Sequence, residues 1–460
     1  MSARSDPALS PRTERFLSAP VLPTILRLSA PGLLLVAFQT MVSIGDTYFV
    51  GQLGTVPLAG LALVFPMLML LQMTSAGAMG GGVSSAIARA LGRGDLVTAR
   101  RLVVHALVIA LIMGAAFTLL LLAFGQPFYR MLGGESAMLE AALAYSNVVF
   151  SGAVLIWVAN TFSAILRGTG NTLAPALALV VAASVHLPLS GSLVLGWGPM
   201  PQVGIAGAGI AYFSTFGLAV LALGWLVLRP QSALRPHAAD LRLEWRLFRE
   251  ILRVGGISVV SALQTVLAAV ILTGFVGRFG AAALAGYGVG VRLELLQIPL
   301  VFAVGQALVA LVGTHIGAGR APRAKRIAWT GTALACSVSL AIGALVVIFP
   351  RTWVEIFSAD PAVVDSGSRY LRTVGLTYPF LALGIALYFA SQGAGKVLLP
   401  VLAGTARLLI IVCGGFALLA AGGGLDAIFA LIAFGMVVLG TLAGLAVART
   451  DWEASVEARR

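Results

Sequence analysis

Apolar residues fill this chain in long, nearly unbroken runs, and polar residues gather in short clusters between them. The runs predict twelve membrane-crossing helices, at about residues 29–52, 57–88, 102–126, 141–166, 174–196, 204–228, 254–277, 283–315, 328–350, 367–391, 399–421 and 427–448. Each is long enough for the roughly 20 apolar residues that a bilayer crossing needs.

The pattern occurs twice. Gly51-x-x-Gly54-x-x-x-Leu58-Ala59-Gly60 returns as Gly277-x-x-Gly280-x-x-x-Leu284-Ala285-Gly286, an offset of 226. Gly92-x-Gly94, Tyr145, Gly168-x-Gly170 and Pro175 return at an offset of 225, as Gly317-x-Gly319, Tyr370, Gly393-x-Gly395 and Pro400. One shared offset across half a chain argues for duplication rather than a coincidence of small residues. Six spans per half is an even number, so both halves enter the membrane in the same direction. The fold class expected is an all-α polytopic membrane protein, with two six-helix lobes related by a pseudo-twofold along the membrane normal. A substrate route between the lobes, opened by rocking one against the other, follows from that symmetry.

The expected organisation is a tail over 1–28, an N-lobe over 29–228 and a linker over 229–253. A C-lobe over 254–448 and a second tail over 449–460 complete it. Within the linker, Asp240–Leu252 alternates apolar and charged residues at helical spacing and predicts an interfacial helix. Composition agrees with a membrane protein: 59% of the 460 residues are hydrophobic and 10% charged, against about 25% charged in soluble domains. The 54 glycines suit tightly packed membrane helices. No signal peptide is expected, because Met1–Pro20 is polar with no apolar stretch. Cys336 and Cys413 fall in predicted spans and read as small packing residues.

A net charge of +13 could indicate nucleic-acid binding, but its distribution points elsewhere. Most Lys and Arg lie in the tails and even-numbered loops. Odd-numbered loops and adjoining helix ends hold Arg130, Arg278, Arg351, Arg369 and Arg372, and Arg292 and Arg407 fall inside spans. The positive-inside rule then predicts that both termini lie in the cytoplasm. Anionic lipid contact is a further expectation, and nucleic acid is not an expected partner.

The candidate chemistry lies in what the spans do not exclude. Asp46 and Glu294 are the only acids, among 17, placed inside them. Insertion scales put a carboxylate at mid-membrane at roughly 2.5–3.5 kcal/mol, so such a residue usually handles ions or protons. Gln39, Ser43 and Asp46 share one helix face, with Pro31 near the start of the span. A buried Asp satisfied for packing is the alternative to a proton or sodium site. His186 lies well inside the fifth span, two residues before Pro188. It is either a satisfied structural histidine or a group sharing a proton with Asp46. Asn160 and Ser163 are weaker partners. Arg292 and Glu294 are two apart and cannot face each other on a helix. A Glu294–Arg407 pair between the eighth and eleventh spans is expected, as a structural ion pair or as a second coupling or drug-cation site. Phe38, Met41, Phe65, Met67, Met69 and Met73 suit core packing or an adaptable greasy cavity. Ser258, Ser261, Gln264 and Thr265 form a polar stripe on the seventh span, matching that of the first but without an acid. No nucleophile triad, metal cluster or phosphate-binding loop appears, so neither an enzyme nor a cofactor is expected.

Several motifs carry a resemblance. Asp46-Thr-Tyr-Phe-Val-Gly51-Gln-Leu-Gly54, Leu166-Arg167-Gly168-Thr-Gly170-Asn171-Thr, Gly204-Ile-Ala-Gly207-Ala and Tyr287-Gly-Val-Gly-Val-Arg292-Leu-Glu294 resemble the multidrug and toxic compound extrusion (MATE) family, over about residues 25–450. The resemblance implies two six-helix lobes that export amphipathic, often cationic compounds in exchange for protons or sodium. The first-span aspartate resembles that of the DinF-like branch, where it is the principal coupling residue. Two positions depart from that branch: Ser190 stands where an aspartate is usual, and His186 where an asparagine is. The seventh-span acid of the NorM-like branch falls near Gln264 and Thr265. A neutral serine beside a protonatable histidine favours protons over sodium. The runner-up is a lipid-linked oligosaccharide flippase of the same broad superfamily. A monomer handling small-molecule drugs is the expected working state.

Overall fold

The computed structural model describes residues 11–453. Every regular element among them is helical. A short helix, Pro11–Ser18, precedes the first long one, Val21–Gln52. The second and third long helices are Thr55–Gly92 and Leu96–Met131; the fourth is the pair Ser136–Ser151 and Ala153–Gly168, bent by 48°. The fifth to eighth are Leu173–Leu195, Ile205–Leu228, Trp245–Gly277 and Ala281–Gly317. The ninth to twelfth are Ala321–Ile348, Pro361–Ala394, Leu398–Ala420 and Leu425–Arg449. Eleven of these helices are individually long and apolar enough to cross a membrane, and the bent pair makes twelve.

The chain forms two compact units. One is Ala30–Gly256, and the other combines residues 11–29 with those from Ile257 onward. The core of the first gathers Trp157, Phe150, Ile87, Leu102 and Tyr145. The second has one cluster around Leu308, Leu387 and Ala386, joined by Ile25 of the first helix. Its other cluster lies around Tyr370, Tyr378 and Phe429.

Three sequence expectations need correction. Much of the expected N-terminal tail is ordered helix. Arg320 donates to the Leu17 carbonyl at 3.0 Å and Arg323 to the Ala19 carbonyl at 2.7 Å, tying Pro11–Ser18 to the second unit. Residues 1–10 and 454–460 of the expected tails lie outside the described residues. The first helix begins at Val21 rather than 29, and Pro31 sits inside it without ending it. The helix expected over Asp240–Leu252 starts only at Trp245 and is not confined to the linker. The linker forms a 3-10 turn at Ala238–Leu241, and Trp245 then begins a helix that continues through Gly255 and Gly256 into the seventh span. Of the two, Gly255 permits close approach to the second helix. A Cβ on Gly82 would lie 2.8 Å from the Gly255 nitrogen.

The linker is fastened to the third helix. Asp240 accepts from Arg100 at 3.1 Å and from the His237 backbone N–H at 3.0 Å, and Arg101 donates to Glu244 at 2.7 Å. Burial pushes the Asp240 carboxyl up. The hydrogen bonds from His237 and Arg100, with the charge of Arg100, outweigh that and hold it below the usual carboxylate value. His105 accepts the Glu244 backbone N–H at 2.8 Å, capping the start of the seventh helix.

The fifth and sixth helices pack backbone to backbone at Gly207. A Cβ there would lie 2.6 Å from the Leu193 carbonyl carbon, so nothing larger than hydrogen fits without displacement. Gly207→Val should destabilise the protein by about 1–3 kcal/mol, the usual cost of overpacking. Thermal unfolding of the purified variant checks this, and an unchanged melting temperature would show that the two helices separate freely.

Candidate functional site

Asp46 faces the fifth helix at one short stretch of the first. Next to it, Gly45 leaves room for Leu187; a Cβ on Gly45 would clash with that side chain. One turn on, Phe49 meets Trp197 edge to face at 5.4 Å. His186 and Ser190 are four residues apart on the fifth helix, so both present to the same side. They enclose the carboxylate. Ser190 donates to Oδ1 at 2.6 Å, and His186 Nε2 lies 3.0 Å from Oδ1 and 2.9 Å from Oδ2. All three are buried, with Asp46 6%, His186 1% and Ser190 0% exposed.

The other ring nitrogen is also engaged. His186 Nδ1 lies 2.9 Å from Thr215 Oγ1 on the sixth helix, and that hydroxyl lies 2.7 Å from the Ala211 carbonyl. One imidazole therefore joins the first, fifth and sixth helices. Pro188, inside the fifth helix, has no N–H and locally loosens the backbone around these side chains.

A second polar cluster adjoins the first. The second helix widens into a π-helical turn at Met73–Met79, a distortion that recurs at functional sites. Asn160 donates to Gln72 at 3.1 Å and to Ser75 at 2.9 Å, and Gln72 donates to the Tyr212 hydroxyl at 2.9 Å. The Tyr212 ring stands edge-on to His186, with centroids 6.2 Å apart. The chemistry available is proton uptake and release by a carboxylate and an imidazole in contact at membrane depth.

The structure sorts the sequence-picked residues. Asp46, His186 and Ser190 come together. Asn160 is buried but belongs to the Gln72 cluster. Gln39 and Ser43 share the face of Asp46 yet are exposed and do not bond the carboxylate, because the fifth helix meets the first near Gly45–Phe49 and not two turns earlier. Phe38 and Met67 are half-buried, and Met41 is exposed. Thr215, Gln72 and Tyr212 escaped sequence reasoning. Isolated polar residues four or more apart in apolar helices carry no signal until packing brings them together.

In the second unit, the expected Glu294–Arg407 ion pair is not formed. Glu294 instead accepts a short hydrogen bond from the Tyr370 hydroxyl. Among the described residues Arg407 makes no ion pair within 4 Å, and its Nε has no hydrogen-bond partner. Arg407 lies beside Gly435, its Cγ 3.5 Å from where a Cβ on that glycine would be. The carboxylate is satisfied at close range by a phenol, which leaves the guanidinium at longer range. Tyr370 was legible as the partner of Tyr145 in the internal repeat, but not as a ligand of Glu294. Arg292 is exposed and lies over the Phe357 ring at 5.0 Å. Gln264 is buried and donates to Thr405 at 2.7 Å, tying the seventh helix to the eleventh.

The MatE family model matches residues 31–190 and again 257–416, two copies displaced by the offset read from the glycine motifs. The chain belongs to the MatE family. Its relatives include a FAD transporter of Shewanella oneidensis, 28% identical, covering 82% of each chain. A probable multidrug resistance protein, NorM, of Thermotoga maritima is 24% identical over 82% of this chain and 81% of its own. A solved MATE structure in the straight conformation shares the fold, with a TM-score of 0.88, 24% identity and coverage of 98% of this chain and all of that one.

The second-unit geometry can be tested by double-mutant cycles read by denaturant unfolding. Tyr370→Phe with Glu294→Gln should show a coupling energy within about 0.5–3 kcal/mol. Arg407→Leu with Glu294→Gln should show less. A larger coupling to Arg407 would reinstate the ion pair.

Proposed function

We propose that this protein is a secondary active efflux antiporter of the bacterial plasma membrane, with both termini cytoplasmic. It exports amphipathic, often cationic compounds by alternating access, in exchange for protons. Family membership and the relatives named as multidrug resistance proteins support export. The observation that carries the coupling is the buried contact of Asp46 with His186 and Ser190. Protons fit this pocket better than sodium does. A sodium ion needs oxygen ligands, whereas here the ring nitrogen faces both carboxylate oxygens and the serine hydroxyl donates to one of them. Half-buried Phe38 and Met67 and exposed Met41 supply adaptable apolar surface for substrate. Gln264, Arg292, Glu294 and Arg407 are its candidate polar contacts.

A second reading concerns the cargo. The relative named a FAD transporter raises an anionic dinucleotide as substrate. Reconstituted vesicles separate the two cargoes, since a cationic dye and FAD can be followed by fluorescence under the same imposed pH gradient. Pumping of FAD but not of the dye would overturn the drug-export reading.

Asp46→Asn should leave the protein folded and inserted but reduce dye efflux to background. Efflux at the wild-type rate would remove Asp46 from the coupling site. His186→Ala should move the pH profile of efflux, because it removes the base that faces both oxygens of Asp46. An unmoved profile would reduce His186 to a packing residue.

A further inference from the structure

Thr215 lies one residue beyond the acid–histidine contact and has the geometry to serve both of its charge states. A threonine hydroxyl has one proton to give and lone pairs to receive. Its oxygen sits between two groups, the Ala211 carbonyl at 2.7 Å and His186 Nδ1 at 2.9 Å. The carbonyl can only accept. The ring nitrogen accepts when bare and donates when protonated.

Two arrangements give every proton on these side chains an acceptor. In the proton-bound state the pair is neutral overall, an imidazolium against a carboxylate. Nδ1–H then donates to the Thr215 oxygen, whose own proton goes to the Ala211 carbonyl. In the empty state the pair carries one negative charge. Nε2 keeps its proton and donates to Asp46, while Nδ1 is bare and accepts the Thr215 proton. The alternative empty state, with the proton on Nδ1, would set the bare Nε2 against the carboxylate at 2.9 Å, acceptor against acceptor. One proton enters or leaves, and one hydroxyl rotates.

Resting on the proton-coupled reading above, we infer that Thr215 is a positioning residue whose hydroxyl rotor keeps His186 facing Asp46 in both the proton-bound and the empty state. Among the described residues, Tyr212 and Tyr145 are titratable groups within electrostatic reach of Asp46. Free phenols ionise near about pH 10, so they do not compete for the transported proton. Ser190 completes the shell with a hydrogen bond to Oδ1 that both states retain.

The test uses the full chain in vesicles, with dye efflux read across pH for the wild type, Thr215→Val, Thr215→Ser and Asp46→Asn. Valine keeps the shape and removes the rotor. A charged ring loses more by it than a neutral one, because hydrogen bonds to charged groups are roughly twice as strong. The proton-bound state is therefore the more weakened. The midpoint of the efflux profile in Thr215→Val should move to lower pH by about one unit, with Thr215→Ser close to wild type. An unmoved midpoint in Thr215→Val, with wild-type efflux pH-dependent and Asp46→Asn inactive, overturns the role of Thr215 and leaves the coupling site standing. Wild-type efflux indifferent to pH, or an active Asp46→Asn, instead overturns the proton reading and this inference with it. Should Thr215→Val not fold, ring 15N NMR of His186 in the wild type decides. Protons on both nitrogens below the midpoint and on Nε2 alone above it are expected. A proton on Nδ1 above the midpoint overturns the rotor.

Discussion

The carboxylate of Asp46, taken out of water inside a membrane-crossing helix, is the constraint around which the first unit is arranged. Ionised and unpaired, it would cost several kcal/mol. The fifth helix meets that cost with two side chains from one face, and the sixth supports the histidine from behind. The fifth and sixth helices touch along their backbones at Gly207, the same helix pair across which His186 meets Thr215.

The two units treat their buried acids differently. In the first, the acid faces a titratable base and a hydroxyl, so its surroundings can follow a change in charge. In the second, Glu294 faces the hydroxyl of Tyr370, a group that donates without taking up a proton at ordinary pH. Duplication of the fold has therefore not produced duplicate chemistry. The tyrosine recurs in both halves, but the acids do not occupy equivalent positions, because Asp46 is on the first helix of its half and Glu294 on the second helix of its own.

Two local features of the first unit lie beside its polar clusters. The second helix opens into a π turn at Met73–Met79 where Gln72 and Ser75 meet Asn160, and Pro188 interrupts the fifth helix beside His186. Both weaken the regular backbone ladder where helices would need to adjust during transport. The second helix also lies close enough to the start of the seventh for Gly82 to meet Gly255.

The sequence by itself determined the membrane class, the helix order, the duplication and the singular positions of Asp46 and His186. Apolar length, a fixed offset between motifs, and a carboxylate in an apolar run are properties written along the chain. Helix ends were less legible. The first helix starts at Val21 and the seventh at Trp245, each ahead of its apolar run, and Pro31 and Gly255 lie inside them. Tertiary structure alone decided which polar residues meet. Gln39 and Ser43 share a face with Asp46 and stay outside its shell, whereas Thr215, 29 residues from His186, holds the far nitrogen of that ring. Arg407 gave way to Tyr370 as the contact of Glu294 for the same reason. A hydrogen bond needs a donor within about 3 Å of its acceptor, and helical spacing fixes which way a side chain points but not which helix stands opposite.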